Sequence, residues 1–243
     1  MVGANNFDLL RLLFASVVCV VHVQQLSGLK ELIAVTSFLS SVVAVKAFFV
    51  VSGYLIFMSF ERSSSAWSYA QKRMRRIYPA YFTVVILCAI GLQFASQLSW
   101  AEYFSSEWLK FVVANLAFAN FLKQELSGVF DGNKLHAVNG ALWTLKIEVM
   151  FYVSVPFFVY FFRRFGHARG LIIFYLLSIF YTCLCNELAA WSGSALYVEL
   201  GRQLPGQLCY FLAGAFYYFY SSRLQSSMVL FAFCALIVLL IND

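Results

Sequence analysis

Charge is what this chain has least of. Only 12% of its 243 residues are charged, against 62% that are hydrophobic. A soluble domain of this size cannot hide so much apolar surface in one core, so a polytopic membrane protein is expected. Linkers are missing too. No Gly/Ser-rich or Pro-rich stretch divides the sequence, and no internal repeat stands out, which leaves one domain over residues 1–243. Metal-ligand spacing is absent: Cys183 and Cys185 form a C-x-C pair with no second pair or nearby His. No metal is expected, and the six cysteines read as small apolar side chains. The marks of a cleaved signal are missing as well. Asp8 precedes the first apolar run, no A-x-A site follows it, and His22, Gln24 and Gln25 occupy its far end.

What is abundant is long apolar runs. A helix crosses the hydrocarbon with about 20 residues. Runs of suitable length lie at roughly 7–27, 38–60, 79–97, 141–162, 170–187, 205–220 and 227–241. A further run, 107–122, contains Lys110, Asn115 and Asn120, and fits either a span or an interfacial segment.

Basic residues arbitrate, because cytoplasmic loops carry the excess of Lys and Arg. With a cytoplasmic N-terminus and no crossing by 107–122, the inner loops hold Arg62, Lys72, Arg73, Arg75, Arg76, Arg163, Arg164, Arg169 and Arg223. The outer loops then hold Lys30, Lys110, Lys123, Lys134 and Arg202. A crossing by 107–122 would move Arg163, Arg164 and Arg169 outside and erase most of the bias. The expectation is an all-α transmembrane bundle of seven to eight spans, seven being favoured. Its long outer segment, about 98–140, carries SGVFDGNKLHAVNG. The net charge of +6 is concentrated in KRMRR at 72–76. So tight a cluster suits a membrane face or an anionic ligand rather than nucleic acid.

The rare polar residues inside the apolar runs are the candidate functional groups, since such groups face a protein interior or a water-filled cavity. Arg11 and His22 are 11 residues apart in the first run. That spacing puts both on one helix face, about 16 Å apart along the axis. In the second run, KAFFVVSGYLI, Lys46 enters the apolar stretch and Ser52-Gly53 interrupts it, a small pair that permits close helix approach. In NGALWTLKIEVMFY, Thr144, Glu148 and Tyr152 are spaced i, i+4, i+8 and share a face, while Lys146 points elsewhere. With the expected topology, His22 and Glu148 lie at comparable depth. A carboxylate can fix an imidazole's tautomer and leave its other nitrogen as a base. In SYAQKRMRRIYPAYF, Arg73 and Arg76 would share a helical face and offer two guanidinium groups to phosphate, and the chain is expected to enter its third span at Pro79.

Taken in order, these segments resemble the integral-membrane acyltransferase-3 family. An Arg and a His about ten residues apart in the first span are matched by Arg11 and His22. An FFxxSG-type segment is matched by Phe48, Phe49, Ser52, Gly53 and Tyr54. An RxxR motif before a proline is matched by Arg73, Arg76 and Pro79. A W-[ST]-L-x-x-E segment followed by FY is matched by Trp143, Thr144, Leu145, Glu148, Phe151 and Tyr152. The motifs cover residues 5 to about 156, with LCYFLAGAFYY a weaker hint beyond them. Lys46 stands where many relatives carry an acidic residue. The family's bundle has about ten spans, so the chain is expected to be incomplete at its C-terminus.

The resemblance implies an acyltransferase that moves an acyl group, often acetyl, from acyl-CoA to a hydroxyl of a cell-surface glycan such as O-antigen, exopolysaccharide or capsule. It implies His22 as catalytic base with Glu148 and Arg11 beside it. It places Arg73, Arg76, Ser52 and Gly53 toward the acyl-CoA, and Trp143, Thr144 and Tyr152 toward the substrate. No permanently bound cofactor is implied. The partners are acyl-CoA, a glycan or lipid-linked saccharide and the bilayer, with no nucleic acid, and the location is the bacterial inner membrane. Direct transfer and an acyl-histidine intermediate are both open. Intramembrane Arg, His, Lys and Glu also occur along transport pathways, so a transporter or flippase component is the alternative, as is an inactive shortened family member.

Overall fold

A computed structural model describes residues 6–133, 135–224 and 227–229. Its helices are α1 (Phe7–Ser27), α2 (Ile33–Thr36), α3 (Ser41–Glu61), α4 (Ala66–Gly91) and α5 (Trp100–Tyr103). There follow α6 (Ser106–Leu116), α7 (Trp143–Phe165), α8 (His167–Ser192), α9 (Ala195–Gly201) and α10 (Leu204–Tyr220), with short 3-10 turns between them. No strand occurs among the described residues, so the all-α expectation holds. Five of these helices are long and apolar enough to cross a membrane: α1, α3, α4 with its 3-10 extension, α7 and α8. The predicted sixth crossing is α10, whose 17 residues reach about 25 Å, short of a hydrocarbon core about 30 Å thick. Almost all of the predicted 227–241 run lies outside the described residues. Within 107–122 the helix α6 has only 11 residues, too few to cross, in line with the favoured reading.

Helix ends follow local chemistry. Ser40 caps α3 by accepting the Val43 N–H (3.2 Å), and Ser65 caps α4 through the Ser68 N–H (3.1 Å). Gly28 ends α1 at φ +68°, a left-handed conformation that costs glycine nothing, and its N–H closes on the Gln24 carbonyl. The Ser65 cap corrects one expectation. The helix that carries the third apolar run does not start at Pro79, which sits inside α4. The cap and the good helix formers that follow it carry the helix through the basic cluster, so Lys72–Arg76 lie on helical turns. Pro79 has no N–H to donate one turn back, and its own carbonyl accepts the Thr83 hydroxyl (2.9 Å).

The chain divides into two compact units, one drawn from residues up to Arg62 and from Ser154 onward, the other from Ser63–Val153. In the first unit α3 packs on α10 through facing glycines. A Cβ on Gly53 would fall on the Phe211 carbonyl, and one on Gly214 on the Val50 carbonyl. Phe49 stacks on Phe211 with ring centroids 4.7 Å apart. On α1, Phe7 and Phe14 meet Tyr54 (4.9 Å) and Phe48 (5.6 Å), which zips it to α3. Phe57 stacks on Phe162 (5.9 Å), and Arg163 pairs with Glu61 (3.0 Å) near the ends of α7 and α3. The start of α10 is tied to α8: the Ser178 hydroxyl donates to the Pro205 carbonyl (2.6 Å) and accepts the Cys209 N–H (2.9 Å), while Thr182 donates to the Gly206 carbonyl (3.1 Å).

In the second unit the C-terminal half of α4 and the segment up to α7 enclose a separate core of Ala89, Tyr103, Phe111, Val112, Leu126 and Val129. The Tyr103 hydroxyl (2.9 Å) and the Trp108 indole N–H (2.8 Å) both donate to the Ala89 carbonyl. Tyr81 donates to the Asn115 carbonyl (2.6 Å) and stacks on Phe118 (4.5 Å). Phe118 is held at φ +57°, a conformation that costs a residue with a side chain about 1–3 kcal/mol. At the surface of this unit Glu107 accepts from Lys110 (2.7 Å) and Lys123 (2.8 Å). The two ammonium groups pull its carboxyl down to about 2.

Candidate functional site

The first unit supplies the histidine. Phe7, Arg11, Phe14, Val18 and Val21 recur at i, i+4, i+7, i+11 and i+14 along α1, and the Phe7 and Phe14 contacts show that this face meets α3. Arg11 is half-buried on it. His22 follows the buried Val21 at the far end of the same face and is itself half-buried. The common face predicted for Arg11 and His22 is therefore present. His22 Nδ1 lies 2.8 Å from the Val18 carbonyl oxygen. A carbonyl only accepts, so Nδ1 carries the hydrogen, and neutral His22 keeps its lone pair on Nε2. The tautomer is thus set within α1 itself, by a backbone group that sequence spacing did not single out.

Ser52 is buried. At Gly53 the space a side chain would use is taken by the Phe211 carbonyl, so its part in the structure is the close approach of α3 and α10. Lys46 lies half-buried on α3 with its ammonium 5.4 Å from the centre of the Tyr210 ring, a cation–π contact.

The second unit gathers a cation, a carboxylate and two phenols. On α7 the Tyr152 hydroxyl donates to Glu148 Oε1 at 2.6 Å, the i, i+4 contact expected from their shared face. Across from it on α4, the Arg73 guanidinium lies 5.8 Å from the centre of the Tyr152 ring. One turn before Arg73, the buried Tyr69 donates its hydroxyl to the Tyr152 carbonyl (3.1 Å) and fixes α4 against α7. Tyr152 therefore joins Glu148, through its hydroxyl, to Arg73, through its ring. The family resemblance assigns Arg73 and Glu148 to different tasks, and the structure brings both to Tyr152. Tyr69 was missed; its signal was the i, i+4 spacing to Arg73 on a helix that reading had started too late.

The remaining predicted positions lie around this cluster. Arg76 is exposed on α4 and Trp143 is half-buried at the start of α7. The Thr144 hydroxyl donates to the Ala141 carbonyl (2.9 Å) at the entry to α7. Lys146 points away, as expected, with its ammonium 4.6 Å from the centre of the Phe121 ring.

Long apolar helices, with a histidine on one and an arginine, a carboxylate and two phenols brought together on two others, define an integral membrane protein. The comparison with known families is specific: residues 5–242 match the acyltransferase domain family, and the chain belongs to that family. It is 32% identical over 178 residues to nodulation protein 10 of Rhizobium leguminosarum bv. viciae, a match covering 70% of this chain and 48% of that protein. It is 34% identical over 151 residues to an O-acetyl transferase of Shigella phage Sf6, covering 62% of this chain and 44% of the phage protein. The matches thus span about half the length of these relatives. No solved structure matches the chain.

Proposed function

We propose that this chain provides the catalytic helices of an O-acyltransferase that moves an acyl group, acetyl by likeness to the phage relative, from acyl-CoA to a hydroxyl of a cell-surface glycan such as O-antigen, exopolysaccharide or capsule. The observation that carries this reading is the His22 tautomer. A sugar hydroxyl is too weakly acidic to attack a thioester unaided and needs a positioned base. With Nδ1 occupied by the Val18 carbonyl, Nε2 is the nitrogen free to take that proton. The hydroxyl oxygen bonds to the thioester carbonyl carbon as Nε2 receives the proton. The carbon–sulfur bond then breaks, and the imidazolium returns the proton to the departing thiolate. The same lone pair would serve an acyl-histidine relay, in which Nε2 attacks the thioester carbon, the coenzyme leaves as its thiolate, and the sugar hydroxyl oxygen then takes the acyl group as it gives up its proton and the bond to Nε2 breaks.

Arg73 and Arg76 are assigned to the phosphates of the coenzyme, for which guanidinium geometry is suited. Glu148, held by Tyr152, keeps that cluster's charge balanced and Arg73 oriented. Arg11 lends positive charge lower on the His22 face. Trp143 and Thr144 stand on the substrate side at the entry to α7, and Ser52 and Gly53 support the site by seating α3 on α10. The bias of basic residues supports a cytoplasmic N-terminus in a bacterial inner membrane.

The test is acyl transfer in inverted vesicles supplied with radiolabelled acetyl-CoA and glycan purified from the host envelope. The intact chain is expected to label the glycan, and His22→Ala to lower the rate by about 10²–10⁴. Full transfer by His22→Ala would sink the assignment of the base. Glycan flux without acyl transfer would replace the enzyme by a transport role.

A further inference from the structure

The first unit gathers five arginines that the acyl-transfer chemistry does not use. Arg62 follows the last residue of α3, Arg163 and Arg164 lie in the last turn of α7, Arg169 in the first turn of α8, and Arg223 in the 3-10 turn after α10. Ring and ion contacts bring these helix ends together. Arg163 pairs with Glu61 (3.0 Å), Phe57 of α3 stacks on Phe162 of α7 (5.9 Å), and the His167 ring at the start of α8 lies 4.4 Å from that of Phe219 near the end of α10. All five arginines are exposed. Arg62, Arg164, Arg169 and Arg223 enter no ion pair among the described residues. Because α3, α7 and α8 are long and apolar enough to cross a membrane, arginines at their ends lie at the depth of lipid headgroups.

Three features separate this end from a plain orientation signal. Lysine and arginine count equally toward orientation, yet all five residues are arginine, whose planar fork matches the oxygens of a phosphate. Two of them rest beside rings, Arg164 5.6 Å from the centre of the Phe165 ring and Arg223 5.6 Å from that of Tyr220, the pairing of cation and aromatic found where a protein meets headgroups. Arg169 stands at the positive end of the α8 dipole, in a first turn with no acidic residue and no side-chain cap, where a cation is disfavoured unless an anion shares the place. We propose that this end of the first unit is a docking surface for anionic phospholipid, whose headgroup phosphates pair with Arg62, Arg164, Arg169 and Arg223. Charge complementarity and headgroup depth select that partner. A second copy of the chain placed face to face would set arginine against arginine, which like-charge repulsion opposes.

The experiment is native mass spectrometry of the full chain in neutral detergent, titrated with phosphatidylglycerol or with phosphatidylcholine, which carries a phosphate but no net charge. The intact chain is expected to retain phosphatidylglycerol in preference. Arg164→Gln/Arg169→Gln/Arg223→Gln is expected to weaken that binding by about tenfold or more, since each basic residue at a membrane surface contributes about fivefold. Lys72→Gln/Arg75→Gln, in the basic cluster of the second unit, is expected to weaken it less. Arg169→Gln alone, expected to bind about fivefold more weakly, decides the matter if the triple variant does not insert. Equal retention of the two lipids by the intact chain, or unchanged phosphatidylglycerol affinity in the arginine variants, would overturn the surface. A loss confined to Lys72→Gln/Arg75→Gln would move the lipid to the second unit and overturn it too. Displacement of the bound lipid by acetyl-CoA, lost in the arginine variants, would hand these arginines to the coenzyme and overturn lipid docking.

Discussion

The two compact units are held together by different means. In the first, Gly53 and Gly214 let α3 and α10 approach until main chain meets main chain, and rings from Phe7, Phe14, Phe49 and Phe57 fill what remains. In the second, phenol, indole and amide donors close on backbone carbonyls: Tyr69 on Tyr152, Tyr81 on Asn115, Tyr103 and Trp108 on Ala89, Asn115 on Lys123. The contrast follows from the solvent each part is suited to. Between helices in hydrocarbon, apolar burial gains little because lipid is equally apolar, so close packing of small residues does the joining. The stretch between α4 and α7 is largely irregular chain, and its carbonyls have no helical partner. Side-chain donors must satisfy them where water does not. The histidine thus sits on a close-packed scaffold, and the arginine–carboxylate cluster on one built from directed hydrogen bonds.

That contrast can be broken from either side. The largest effect on stability is expected for Gly53→Ala, whose added methyl meets the Phe211 carbonyl. Overpacking of this kind costs about 1–3 kcal/mol, and the upper end is expected because backbone cannot step aside. The measurement is the thermal midpoint of the detergent-solubilised chain, and a midpoint equal to that of the intact chain would show that α3 and α10 are not so close. Next comes Tyr152→Phe, which removes the hydroxyl bonded to Glu148 and keeps the ring under Arg73. A loss of about 1 kcal/mol is expected from removing one side-chain hydrogen bond, again as a lower midpoint.

The smallest effect belongs to Glu107. Its carboxyl is lowered from 4.5 to about 2 by Lys110 and Lys123, so its contribution to stability is complete above about 4.5 and is lost as pH falls toward about 2. Glu107→Gln should flatten the stability profile of the chain in that window and leave it unchanged near neutrality. An unaltered acid limb would show that these ion pairs do not persist in solution.

Much of the first unit is legible in sequence because its determinants are local. The α1 limits follow from an apolar run ended by Gly28, and the shared face of Arg11 and His22 follows from helical spacing alone. The Thr144–Glu148–Tyr152 stripe is legible for the same reason, and its Tyr152–Glu148 bond is an i, i+4 contact. The second unit hides more. Nothing in the local pattern says that Tyr103 and Trp108 converge on one carbonyl, since that convergence exists only once α5 and α6 fold back on α4. Pro79 drew attention as a helix start because proline favours first turns, yet Ser65 supplies a stronger start well before it and the helix tolerates the proline. That early start is what turns Tyr69 inward and lays Arg73 on Tyr152. The Val18 carbonyl that fixes the His22 tautomer was equally out of view, because a backbone acceptor leaves no signature in residue type.

The central proposal is that His22 acts as the base and that Arg73 contacts the acyl donor. Steady-state transfer kinetics of His22→Ala and Arg73→Ala, side by side in vesicles with acetyl-CoA varied, test it most directly. The account predicts that His22→Ala lowers kcat by about 10²–10⁴ with little change in the acetyl-CoA KM. Arg73→Ala is predicted to raise that KM about 10- to 100-fold, as the loss of a charged contact to phosphate requires. The reverse pattern, with His22→Ala acting on KM and Arg73→Ala on kcat alone, would contradict the division of labour.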